Sequence, residues 1–183
     1  MSVNLSCKQF AQPTLVKRIK RILDETDFPP TRLKLEITES VFIEHKEAAI
    51  QMLNQLREIG IELNIDDFGT GYSNLSYLMQ LPISTLKIDR SFITPIQADG
   101  GNTEIIQTII MLARNMGLSV VAEGVETEMQ LEQLKKLDCE SVQGYLFSQP
   151  MAFEEIGDFL IQNGAAMIPE TRFKDISVLA TVQ

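Results

Sequence analysis

The feature that most constrains how this 183-residue chain can fold is the alternation inside its short β-prone runs. In Leu33-Lys34-Leu35-Glu36-Ile37-Thr38 the leucines and isoleucine fall on one face and Lys34, Glu36 and Thr38 on the other, because side chains two residues apart along a strand share a face. Ile61-Glu62-Leu63-Asn64-Ile65-Asp66 repeats the split, and Leu86 and Ile88 alternate with Thr85, Lys87 and Asp89. Strands of a doubly wound sheet meet helices on both faces and should be apolar on both. A barrel strand can turn a polar face inward near its end. The alternation therefore predicts a barrel.

Along the whole chain such runs alternate with segments of helical period, the pattern of repeated βα units on a parallel sheet. Six strands are expected, at Ser2–Leu5, Leu33–Thr38, Ile61–Asp66, Thr85–Asp89, Ser119–Glu123 and Val142–Leu146. Between them lie apolar helical stripes: Leu15, Val16, Ile19, Ile22 and Leu23; Ala49, Met52, Leu53, Leu56 and Ile59, ended by Gly60; and Ile105, Ile106, Ile109, Ile110 and Ala113, ended by Gly117. Thr127 and Gln130 form a capping-box pattern ahead of Leu131 and Leu134. The expected fold is α/β, a TIM-like (β/α) barrel that is incomplete, with about six parallel βα units, since eight units need at least about 200 residues.

Composition narrows the function classes. With 44% apolar and 22% charged residues the chain can build one core. No apolar run reaches the roughly 18 residues of a membrane span, and Met1-Ser2-Val3-Asn4 opens no signal peptide, so a cytoplasmic location without membrane contact is expected. A net charge of −9 argues against binding polymeric nucleic acid or an anionic membrane. Cys7 and Cys139 match no metal spacing and are expected as reduced core thiols; His45, the single histidine, is expected to be solvated.

The strand ends gather Asn4, Glu36, Asp66, Asp67, Lys87, Asp89, Glu123, Glu126 and Gln143 onto one rim, where barrel enzymes place their active sites. Oxygen donors without a His or Cys cluster favour Mg²⁺, Mn²⁺ or Ca²⁺ over Zn²⁺. Adjacent Asp66 and Asp67 could serve two ions, but Asp-Asp ahead of Phe68-Gly69-Thr70-Gly71 is also a common turn, and alone it decides nothing.

Taken together, the motifs resemble the EAL phosphodiesterase family over roughly residues 1–160. The matching segments are Val3-Asn4-Leu5-Ser6, Glu36-Ile37-Thr38-Glu39, Asp66-Asp67-Phe68-Gly69-Thr70-Gly71-Tyr72-Ser73, Leu86-Lys87-Ile88-Asp89-Arg90-Ser91-Phe92-Ile93, Ala122-Glu123-Gly124-Val125-Glu126 and Gln143-Gly144-Tyr145-Leu146-Phe147. The resemblance implies a partial EAL domain over residues 1–162, from the third strand to the C-terminal helix, and a tail over residues 163–183. It implies hydrolysis of cyclic di-GMP to linear pGpG with two Mg²⁺ or Mn²⁺ ions. Asn4, Glu36 and Asp66 would bind one ion and Asp66 with Asp67 the second. Lys87, Glu123, Glu126 and Gln143 would hold or activate the attacking water and nearby ligands, with Glu123 favoured as proton acceptor. Glu39 would anchor the loop Phe68, Gly69, Thr70 and Gly71, which reaches the substrate site and the partner in a homodimer, and Asp89 belongs to the same substrate or loop group.

The chain also departs from the pattern. The Glu-Ala-Leu motif and its strand, expected ahead of Asn4, have no match, and Gln149 precedes Pro150 where the family usually has Lys or Arg. A catalytically dead cyclic di-GMP receptor or interaction module is the alternative, and an enolate-forming barrel enzyme ranks third. Open sheet edges lead to an expectation of self-association, or of cover by residues after Asn163. Ile176–Val182 has strand character, although a disordered tail is the expected outcome there.

Overall fold

Period-two alternation becomes parallel pairing in the computed structural model, which describes residues 1–42, 46–71, 75–98, 100–152, 155, 159 and 177–178. His45, Tyr72, Ser73 and nearly all of the tail after Asn163 lie outside the described residues. The chain divides into one unit of Met1–Lys87 with Met116–Leu118 and another of Ile88–Asn115 with Ser119–Gln183.

The first unit runs β1 (Ser2–Asn4), α1 (Cys7–Phe10), α2 (Leu15–Thr26), β2 (Lys34–Thr38), α3 (Lys46–Glu58), β3 (Glu62–Phe68), α4 (Leu75–Leu78) and β4 (Thr85–Ile88), whose last residue starts the second unit. Its strands lie in the order β1-β2-β3-β4. β1 pairs parallel with β2, placing Asn4 opposite Glu36, and β2 pairs parallel with β3, placing Glu36 opposite Asn64 and Thr38 opposite Asp66. The apolar faces of β2 and β3 bury Leu35, Ile37, Leu63 and Ile65, and α3 turns Ala49, Leu53 and Leu56 inward as it packs on β3. Each leucine or isoleucine among them contributes roughly 1.5–3 kcal/mol relative to exposure. Gly60 ends α3 as expected, with φ at 100°, in the left-handed region that a side chain disfavours.

The second unit contains α5 (Arg90–Ile93), α6 (Glu104–Asn115), β5 (Ser119–Glu123), α7 (Glu128–Lys136), β6 (Ser141–Gln143) and β7 (Ser177–Val178), with strand order β5-β6-β7. The expected capping box is present: Gln130 N–H donates to Thr127 Oγ1 at 3.2 Å, and Gln130 Oε1 accepts from Thr127 N–H at 3.1 Å. The same side chain, 7% exposed, accepts from Glu126 N–H at 2.8 Å and donates through Nε2 to the Ile93 carbonyl at 3.3 Å. One amide thus fixes the start of α7, the segment before it and the end of α5.

Several expectations need correction. The sixth strand ends at Gln143 rather than Leu146, because Leu146 N–H turns back to the Val125 carbonyl at 3.0 Å and Phe147 N–H bonds Gly144 O. Ile22 and Ile105 are half exposed, since each lies at the margin of its helical stripe and the buried arc is narrower than the stripe. Ser177 and Val178, placed by sequence in an unstructured tail, pair parallel with Ser141 and Val142 and so cover one edge of β6. Cys7 is exposed rather than buried.

Among the described residues no helix is long and apolar enough to cross a membrane. Cys139 is 1% exposed, its thiol reaches the Ser141 carbonyl at 3.3 Å, and burial pushes its pKa up to about 11. Alkylation of the native protein at pH 8, followed by peptide mapping, should therefore modify Cys7 and leave Cys139 untouched until denaturant is added. Equal labelling of both thiols would contradict the packing around β6.

Candidate active site

Lys87 is the centre of the site in the first unit. Its Nζ donates to Glu36 Oε2 at 2.7 Å and to Asp66 Oδ1 at 2.9 Å. The lysine side chain is 5% exposed, and the carboxylates 11% and 13%. Strand register explains the meeting: Glu36 stands opposite Asn64, so Asp66, two residues further along β3, is its diagonal neighbour on the same face. Asn4, opposite Glu36, completes a row of oxygen donors across β1, β2 and β3. The ammonium thus bridges Glu36 and Asp66, two of the residues expected from sequence as metal ligands.

A bend begins inside the end of β3 at Asp67, whose φ of 52° is unusual for a residue with a side chain. Thr70 closes the bend, donating from both N–H and hydroxyl to the Asp67 carbonyl at 3.3 and 2.9 Å. Gly69, at φ 96°, donates its N–H to Glu39 Oε1 at 3.2 Å. A Cβ on Gly71 would stand 2.7 Å from Glu39 Oε2, so the loop lies directly against that carboxylate. Phe68 is buried beneath it.

In the second unit, Glu123 and Gln143 stand opposite each other at the ends of β5 and β6. Two glycines let the following segments close on their neighbours: a Cβ on Gly124 would collide with the Arg90 side chain, and one on Gly144 with the Val125 backbone. These approaches frame a cavity of about 220 Å³ lined by Arg90, Glu126, Gln143 and Tyr145 among others. Asp89 Oδ1 caps α5 by accepting from Ser91 N–H at 2.9 Å, which sets the position of the adjoining Arg90. Arg90, Tyr145 and Asn64 were not singled out from sequence. The first two lie inside the quoted motifs, and Asn64 lies on the polar face of β3, so position offered a signal where residue type did not.

The family model described as EAL domain matches residues 1–150. NbdA of Pseudomonas aeruginosa, a cyclic di-GMP phosphodiesterase, is 44% identical over 160 residues, which are 87% of this chain and 20% of that protein. MucR of the same organism, a bifunctional diguanylate cyclase/cyclic di-GMP phosphodiesterase, is 45% identical over 85% of this chain and 23% of its own length. The chain thus spans about a fifth of the curated relatives it matches. The solved MucR phosphodiesterase in complex with c-di-GMP superposes with a TM-score of 0.80, at 45% identity, covering 85% of this chain and 63% of that one. Klebsiella pneumoniae BlrP1, solved as a manganese and cyclic di-GMP complex, gives a TM-score of 0.73 at 30% identity over 81% of this chain and 38% of that one. The fold is α/β, an incomplete TIM-like barrel of parallel βα units, as the alternation predicted.

Removing one member of a buried ion cluster leaves the remaining charge uncompensated. Lys87→Met should lower the stability of the metal-free protein by about 3 kcal/mol in urea unfolding. Mn²⁺ should restore much of that loss by neutralising the same carboxylates. Unchanged stability in EDTA, or no recovery with Mn²⁺, would contradict the role given to the ammonium.

Proposed function

The chain belongs to the EAL domain family, and from that premise we propose that it is a cyclic di-GMP phosphodiesterase module that opens the cyclic dinucleotide to linear pGpG. One observation carries this reading: two carboxylates on adjoining strands already hold a cation, the Lys87 ammonium, between them. The donor set suits a hard divalent ion, since Asn4, Glu36, Asp66 and Asp67 offer only oxygen, and Mg²⁺ or Mn²⁺ fits such ligands. Asn4, Glu36 and Asp66 would hold one ion, and Asp66 with Asp67 the second. Two ions of this kind supply charge stabilisation at the attacked phosphate and acidify the attacking water.

The remaining work falls to the chain's own groups. Glu123 accepts the proton of the attacking water, and Gln143, opposite it in register, orients that water or a phosphate oxygen through its amide. Lys87 supplies a positive charge that stabilises negative charge developing on phosphorus. Glu126 and Arg90 line the cavity together, an acceptor beside a fork of donors, and Arg90 can address the two acceptors on the edge of a guanine. Glu39 holds the Phe68, Gly69, Thr70 and Gly71 loop through Gly69 N–H, and Asp89 fixes the start of the helix that carries Arg90. The module works in the cytoplasm as a homodimer. Its net charge of −9 argues against polymeric nucleic acid or an anionic membrane surface, and a small anionic ligand needs metal ions to offset the carboxylates.

Incubation of the chain with cyclic di-GMP and Mn²⁺ should yield pGpG by chromatography. Asp66→Asn should abolish that product and weaken Mn²⁺ binding by at least about tenfold. Cyclic di-GMP binding without pGpG would replace the enzyme by a receptor, and unchanged Mn²⁺ affinity in Asp66→Asn would remove the metal assignment.

A further inference from the structure

Asn64 is 5% exposed, and its Oδ1 has no hydrogen-bond partner among the described residues. Buried amide oxygens are nearly always paired, because stripping one of water without a replacement is costly. The placement of this one is informative. Asn64 stands opposite Glu36 in the β2–β3 register and precedes Asp66 by two residues on the same face of β3. Those two carboxylates are the ones that Lys87 Nζ holds at 2.7 and 2.9 Å. Lys87 is itself 4% exposed overall, so an ammonium moved off Glu36 and Asp66 cannot simply relax into bulk water.

We propose that Asn64 is a positioning residue for Lys87: its Oδ1 takes the Lys87 ammonium when a divalent cation engages Glu36 and Asp66. The inference rests on the metal-dependent reading above and adds a residue to it. Lys87 then has two berths on one polar face. In the metal-free protein it neutralises the carboxylates and Asn64 bears an unpaired oxygen. In the loaded protein the cation takes over the carboxylates and the unpaired oxygen gains a charged donor. The penalty carried by Asn64 before metal binding is relieved by metal binding, so the amide favours the loaded state although it touches no ion.

This gives a loss of metal affinity without a loss of metal-free stability, which a purely structural asparagine would not produce. Asn64→Leu keeps the approximate volume and removes the acceptor; Asn64→Val is a smaller replacement suited to a strand, for use if leucine does not fit. Mn²⁺ affinity by calorimetry should fall at least about tenfold in either variant, the usual scale for a hydrogen bond to a charged group. The thermal unfolding midpoint in EDTA should stay unchanged or rise. A smaller loss of affinity, or a lower midpoint in EDTA showing that Asn64 supports the metal-free fold, would overturn the proposal. If the parent chain binds Mn²⁺ and hydrolyses cyclic di-GMP while the variants match it, this inference alone fails. If the parent binds no Mn²⁺, the metal reading fails and takes this proposal with it.

Discussion

The three-way contact of Lys87 with Glu36 and Asp66 is the constraint to which the first unit is fitted. Two carboxylates brought onto one face at neighbouring strand ends repel each other, and in a setting only 11% and 13% exposed water screens that repulsion poorly. A cation must lie between them. The ammonium can reach that place because β2 and β3 are in the register that makes Glu36 and Asp66 diagonal neighbours. A slip of one residue would send Asp66 to the apolar face and Ile65 to the polar one. Burial of Ile37, Leu63 and Ile65 on the opposite face therefore sets the geometry of the charged cluster.

Within each unit, loops are shaped by backbone contacts more than by large side chains. Asp67 and Gly69 both take positive φ, and the resulting bend rests on Glu39. In the second unit Gly124 and Gly144 permit contacts with Arg90 and Val125 that any side chain would block. Gln130 performs three tasks with one amide, capping α7, holding Glu126 N–H and bonding the end of α5. Within each unit the regular elements carry the candidate site residues, and these few polar and glycine positions fix how the connecting segments are aimed.

Much of this was legible in sequence because period-two alternation is a local signal. Leu33–Thr38 and Ile61–Asp66 named their own buried and polar faces, and Gly60 and the Thr127/Gln130 pair marked helix ends through local backbone chemistry. The misses were non-local. That β6 stops at Gln143 depends on Leu146 turning back to Val125, and that Ser177 and Val178 form a strand depends on a partner far away in the chain. The partners of the Lys87 ammonium are likewise non-local, since they lie 51 and 21 residues away. Asn64 could be placed on the polar face, but that its oxygen lacks a partner among the described residues depends on how side chains from separate strands pack.

The most direct test of the account follows the Lys87 side chain itself. In a protein with isotopically labelled lysine, the NMR resonance of the methylene beside Nζ reports the surroundings of the ammonium, and Mg²⁺ is a diamagnetic ion suited to the titration. The account predicts that the Lys87 signal moves with Mg²⁺ concentration and saturates together with calorimetric binding, because ion and ammonium compete for Glu36 and Asp66. A Lys87 signal that stays fixed while Mg²⁺ binds would contradict it.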